Sequence, residues 1–178
     1  MIVLKFGGTS VGSVENFRKV ANIVREIDED KIVVLSAMSG VTNTLVGMAE
    51  LLRAGDSQEA VKLIEELNKK YLGVSGELLH SETCLNRIEA LLKKHEETLL
   101  SIAAAPFSSE NEKIIMAQGE LVSTNLFECL MQEIGENSKL ISALDFMQID
   151  RAGEPRSSLI KDKLNKVLAN HRVDTFIT

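Results

Sequence analysis

Short unbroken apolar runs alternate along the chain with longer stretches whose apolar residues recur every three or four positions, an order that predicts strands separated by helices. Ile2 to Phe6 reads as a short buried strand. Val20, Ala21, Val24 and Ile27 follow at helical spacing from Phe17, with Ser13 as the N-cap. "KIVVLS", Lys31 to Ser36, is β-branched without alternation, the mark of a strand covered on both faces of a parallel sheet. A helix from about Thr42 to Arg53 follows, stopping near Gly55, and Ser57 opens the next.

From there to about Ala105 the pattern is helical. Val61, Ile64, Leu67 and Tyr71 form one stripe and Leu85, Ile88, Leu91, Leu92, His95 and Leu99 another, which reads as an insertion of paired helices. "AAPFSS" breaks the pattern before a long helix from about Ser109 to Glu133, ended at Gly135. "KLISAL" reads as a third strand, "DRAGEP" as a turn, Leu159 to Leu168 as a helix and "VDTFIT" as a last strand. The fold class this order predicts is α/β, a mostly parallel sheet with helices on both faces. The chain stops inside that strand, so a fragment is expected, its missing part carrying half of any active site.

Composition narrows the function classes. The chain has 178 residues, enough to bury roughly 70% of the surface its unfolded form exposes. A net charge of −6 disfavours nucleic acid or an anionic membrane as partner, since both need concentrated Lys and Arg. No apolar run is long enough to span a bilayer and no signal peptide is evident, so a cytoplasmic location is expected. Cys84 and Cys129 stand far apart in sequence and no Cys/His cluster has zinc spacing, so two reduced thiols inside helices are expected, with no metal site.

Ligands of an open α/β sheet bind beyond the carboxyl ends of the strands, where the loops after Phe6 and Ser36 must lie as neighbours. In "VLKFGGTSVG", Gly7 and Gly8 remove Cβ atoms where a ligand would approach the backbone. Thr9, Ser10 and the amides of the next helix can donate to an anion, with Lys5 adding positive charge. Equally, Gly7 and Gly8 could simply let a strand turn, with Lys5 an edge lysine; the spacing G-G-x-x-x-G is neither a Walker loop nor G-x-G-x-x-G. "SAMSGVTN" offers Ser36, Ser39, Thr42 and Asn43 for a small ligand's carboxylate, or only an ordinary N-cap at Thr42. In "QGELVST" a glycine interrupts a helix just before Glu120, which could pair with an ammonium ion or be a solvated helix charge. His80, His95 and His171 share no metal or triad spacing. His95 sits on an apolar stripe, where a satisfied or half-exposed histidine is expected.

Three segments, "KFGGTSVG" (Lys5 to Gly12), "VVLSAMSGVTN" (Val33 to Asn43) and "GELVST" (Gly119 to Thr124), together resemble the N-terminal part of the aspartokinase family. The resemblance covers the whole chain, residues 1–178, and implies a three-layer α/β/α amino-acid kinase fold. The activity it implies is ATP-dependent phosphorylation of the L-aspartate β-carboxylate to 4-phospho-L-aspartate, the first step of lysine, threonine and methionine biosynthesis. It implies that Lys5 stabilises the transferred phosphate and, with Phe6, Gly7 and Gly8, forms part of the ATP site. Thr42 and Glu120 would contact aspartate, Glu120 through its amino group, with Ser36 beside them. "GEL" stands where some members have Gly-Glu-Arg or Gly-Glu-Lys. The family's glycine-rich ATP segment, of the Thr-Thr-Leu-Gly-Arg-Gly-Gly-Ser-Asp type, and its regulatory domains are absent from the sequence. The full-length enzyme would be a homo-oligomer using ATP with Mg2+, the magnesium held largely by the nucleotide, and the 178 residues alone would have little or no kinase activity. The competing readings are another amino-acid kinase and a non-catalytic α/β binding or assembly module.

Overall fold

The computed structural model describes residues 1–178. The chain forms β1 (Ile2–Phe6), α1 (Val14–Arg25), β2 (Lys31–Leu35), α2 (Val41–Ala54), α3 (Ser57–Leu78) and α4 (Glu82–Ala103). There follow α5 (Ser109–Glu133), β3 (Ser138–Leu140), the short α6 (Ala143–Phe146), α7 (Ser157–Ala169) and β4 (Thr175–Ile177). The strands make one wholly parallel sheet in the order β1-β2-β4-β3. Its two faces differ: Val33, Leu35 and Ile177 point into a core of 35 buried residues shared with α1, α2 and α5, whereas Ile32 and Phe176 join only Ile141 and Phe146 on the other. α7 covers that second face with half-buried Ile160, Leu164, Val167 and Leu168, and none of its residues is fully buried. The result is three layers, helix, sheet and helix.

Local chemistry explains most boundaries. Ser13 caps α1 by accepting from the Asn16 amide, and Ser108 with Asn111 forms a capping box at α5. Ser57 is the first residue of α3, as expected, and Asp56 caps it, its carboxylate accepting from Glu59 N. α3 and α4 pair with each other and pack on α2 and α5, as an inserted hairpin should. α5 lies across β2, β4 and β3, and Leu126, Phe127, Glu128, Cys129, Leu130 and Met131 in succession are buried.

Two strand expectations need correction. β1 is an edge strand of alternating burial, with Val3 66% exposed, because it has one neighbour and a helix layer on one face only. "KLISAL" yields only a three-residue strand, because the Ser142 hydroxyl accepts from Leu144 N at 3.2 Å and starts α6 instead. No helix is long and apolar enough to cross a membrane.

Candidate functional site

The three motifs meet at one residue, Ala37, in the loop after β2. β1 and β2 are adjacent and in parallel register, so the loops leaving their carboxyl ends emerge side by side. A Cβ on Gly8 would fall 2.8 Å from the Ala37 carbonyl oxygen, and one on Gly12 would fall 2.9 Å from Ser39 Cβ. From the third motif, a Cβ on Gly119 would lie 2.6 Å from Ala37 Cβ and 3.2 Å from Val41 Cγ1. Real Cβ contacts are not this short, so α5 and both loops approach to a distance only glycine permits.

Hydrogen bonds lock the same junction. Glu120 Oε1 accepts from the Ala37 amide at 3.3 Å, and Ser123 Oγ donates to the Ser36 carbonyl at 3.0 Å. Thr124 Oγ1 donates to the Glu120 carbonyl at 2.7 Å, and the Ser36 amide to the Phe6 carbonyl at 3.1 Å. The backbone of Ser36 is thus fastened on both sides.

Gly7 is different. Its φ is not positive, and a Cβ there would meet only Lys5 Nζ, at 3.5 Å. Neither turn geometry nor packing requires glycine at this position. The amides of Gly7, Gly8 and Thr9 have no acceptor within the chain, and the exposed Lys5 ammonium has no carboxylate partner. Together they form a cationic, donor-rich patch. The half-buried Phe6 ring packs against the main core.

The second loop ends in a bare helix N-terminus. Gly40, not Thr42, is the N-cap of α2; its left-handed φ of 79° suits glycine, and no side chain caps the helix. Thr42 is exposed in the first turn, and the Thr42 and Asn43 amides have no acceptor within the chain. Lys70 of α3 reaches this loop, donating to the Ser39 carbonyl at 3.0 Å. No local pattern singles it out, since it lies off the apolar stripe of α3 and only the packing of α3 on α2 brings it here.

Glu120 opens onto a cavity of about 560 Å³ with Leu121, Thr124, Leu140, Ser142, Asp145 and Thr178 in its walls. Lys5, Ser36 and Thr42 do not line it, so the predicted residues surround the carboxyl end of the sheet without sharing one enclosed pocket. Behind the site, Tyr71 and His95 are fully buried with rings edge to face at 5.7 Å. His95 is neither exposed nor satisfied: Nδ1 meets Gln118 Oε1 at 3.0 Å while Nε2 and the Tyr71 hydroxyl lack partners. Gln118 Nε2 donates to the Ile114 carbonyl, so Nδ1 is the donor in the His95 pair. Burial pushes the Tyr71 hydroxyl up and Glu120 adds to it; burial holds His95 below its ordinary value, against the opposing effects of Gln118 and Glu96. A larger cleft of about 890 Å³ near Glu133, about 20 Å away along α5, contains none of the predicted residues.

Comparison with known proteins adds an independent line. The amino acid kinase family matches residues 1–177. The chain is 33% identical over 133 residues to lysine-sensitive aspartokinase 3 of Escherichia coli (strain K12), spanning 75% of this chain and 29% of that protein. It is 58% identical over 52 residues to an aspartokinase of Pseudomonas aeruginosa, 28% of this chain and 13% of that one. Among solved structures it resembles Escherichia coli aspartokinase III in complex with aspartate and ADP at a TM-score of 0.78 and 26% identity, over 99% of this chain and 40% of that one. The fold is also that of Clostridium acetobutylicum aspartate kinase, TM-score 0.74 at 19% identity, over 99% of this chain and 38% of that chain. The chain therefore spans less than a third of the length of these curated relatives.

Proposed function

The chain belongs to the amino acid kinase family, and from that premise we propose that it is the N-terminal portion of an aspartokinase catalytic domain. The observation that carries the reading is the convergence of "KFGGTSVG", "SAMSGVTN" and "GELVST" on Ala37, which leaves Lys5, five free amides and the Glu120 carboxylate around one end of the sheet. The Escherichia coli neighbour holding aspartate and ADP favours this acceptor and this donor class.

In the proposed reaction a β-carboxylate oxygen of aspartate attacks the γ-phosphorus of ATP. The bond to the β,γ-bridging oxygen breaks, and ADP leaves with that oxygen. An aspartate carboxylate has an unperturbed pKa of about 3.9, so it is ionised at neutral pH and no catalytic base is needed. What the chain must supply is position and positive charge. Lys5 and the Gly7, Gly8 and Thr9 amides face developing phosphate charge. Thr42 and Asn43 offer donors to a substrate carboxylate, and Glu120 offers its unoccupied lone pairs to the substrate ammonium. No three carboxylate, histidine or cysteine side chains converge, so magnesium would ride on phosphate oxygens.

The test is ATP- and aspartate-dependent hydroxamate formation by the whole protein that carries this sequence. Turnover with aspartate, and not with glutamate or acetylglutamate, is the expected result. ATP binding without turnover would instead identify a non-catalytic module. The 178 residues by themselves are expected to turn over little or not at all, because they span a minor part of each relative.

A further inference from the structure

α4 and α5 pack side by side, and their contact joins the chain's only two cysteines across 45 residues of sequence. Cys84, in the first turn of α4, directs Sγ at the main-chain carbonyl of Cys129 at 3.7 Å, across the contact between the two helices. Both are free and buried, but not equally. Cys129 is sealed at 0% exposure in the core, whereas Cys84 lines the cleft of about 890 Å³ beside Arg18, His80, Ser81 and Glu133.

A disulfide requires the two residues' Cα atoms to lie about 4.4 to 6.8 Å apart with side chains facing. The Cys84 sulfur, already in contact with the main chain of Cys129, is directed at the residue it would join. One thiol reachable from a cleft, with a sealed thiol against it, is also the arrangement in which the first takes an oxidant and the second resolves it. Neither cysteine has a part in the reaction proposed above.

We propose that Cys84 and Cys129 are an oxidation-sensitive pair that closes to a disulfide when hydrogen peroxide enters the cleft. The Cys84 sulfur attacks one oxygen of hydrogen peroxide, the O–O bond breaks, and Cys84 becomes a sulfenic acid as the other oxygen leaves with the Cys84 proton as water. The Cys129 sulfur then attacks the Cys84 sulfur; the S–S bond forms, the S–O bond breaks, and the hydroxyl departs with the Cys129 proton as a second water. Two thiols thereby lose two electrons to one peroxide. Burial pushes the Cys129 thiol up to about 12, offset in part by Arg87, so it must give up its proton in the same step in which it attacks. The link would tie the α3–α4 hairpin to the helix that carries Gly119 and Glu120.

The chain, reduced and freed of reductant, is treated with hydrogen peroxide and examined by intact mass and by non-reducing peptide mapping. Expected is a loss of two hydrogens, a Cys84–Cys129 cross-linked peptide, and full reversal by dithiothreitol. In Cys129→Ser, dimedone should trap a sulfenic acid on Cys84; in Cys84→Ser, oxidation of Cys129 should be at least tenfold slower, in keeping with its lack of exposure. Sulfinic acid without a cross-link, cross-links only between chains, no reaction, or equal oxidation of Cys129 in Cys84→Ser would each overturn the proposal. The wild-type mass measurement decides it even if a variant fails to fold.

Discussion

Glu120 and Glu128 sit on the same helix, about 12 Å apart, and their circumstances are opposite. Glu128 is 3% exposed, and its carboxylate is consumed by an ion pair with Arg87 and by Gln132 Nε2 at 2.7 Å. Glu120 faces a cavity, has no cation beside it, and accepts only the Ala37 amide, at 3.3 Å. A carboxylate withdrawn from water must spend its lone pairs on the protein, whereas one left at a cavity keeps them for something else. The half of α5 around Glu128 therefore belongs to the core, and the half around Glu120 faces the candidate site.

The sharpest test of that contrast is Glu120→Gln. In the whole enzyme it should lower kcat/KM for aspartate about 100-fold, the loss of a charged contact of about 2.7 kcal/mol. The melting of the 178-residue chain should move by no more than about 0.5 kcal/mol. Equal losses in stability and turnover would make Glu120 a structural residue like Glu128.

Arg87→Ala should show the reverse. Breaking a buried pair costs about 3 to 5 kcal/mol, and since Arg87 is itself partly open to water we expect about 2 kcal/mol by denaturant titration. Substrate KM in the whole enzyme should not change.

Gly119→Ala tests the seam between the two halves. Its methyl would overlap Ala37 Cβ, a buried neighbour with no rotamer to change, and overpacking of this kind costs about 1 to 3 kcal/mol. We expect about 1.5 kcal/mol of destabilisation, with loss of turnover at temperatures where the protein remains folded. Wild-type stability and activity would mean that the seam is looser than the close contacts imply.

The smallest effect concerns pH. His95 is held neutral in the fold by burial, so its folded pKa lies below the unfolded value of about 6.5. As pH falls through 6.5 the unfolded chain takes up a proton that the folded chain refuses, so stability is full above that value and declines below it until the folded pKa is passed. Melting curves between pH 7.5 and 5.5 should show this decline, and His95→Gln should flatten part of it. An unchanged slope would remove His95 as a contributor.

Much of the fold was legible because its signals are local. Ser13 ahead of "VENF", Gly55 after "LLRA" and the stripes of α3 and α4 each act within a few residues of the structure they set. The failures were equally local in cause. One hydroxyl at Ser142 turned the end of a strand into a short helix, and Gly40 displaced Thr42 as the cap of α2. The edge position of β1 was not legible at all, since nothing inside "IVLKF" reports how many neighbours it has.

The sequence by itself determined the order of elements, the two adjacent loops at the strand ends and the three motifs whose resemblance pointed to a phosphoryl-transfer site. These depend on periodicity and on residue chemistry, which a chain carries before it folds. Only the tertiary structure decided that Gly8, Gly12 and Gly119 close around one loop, that Lys70 joins it, that His95 is buried and unsatisfied, and that Cys84 meets Cys129. Those facts are distances between residues remote in sequence, fixed by how α3, α4 and α5 pack. No local pattern encodes which face of one helix will meet which face of another.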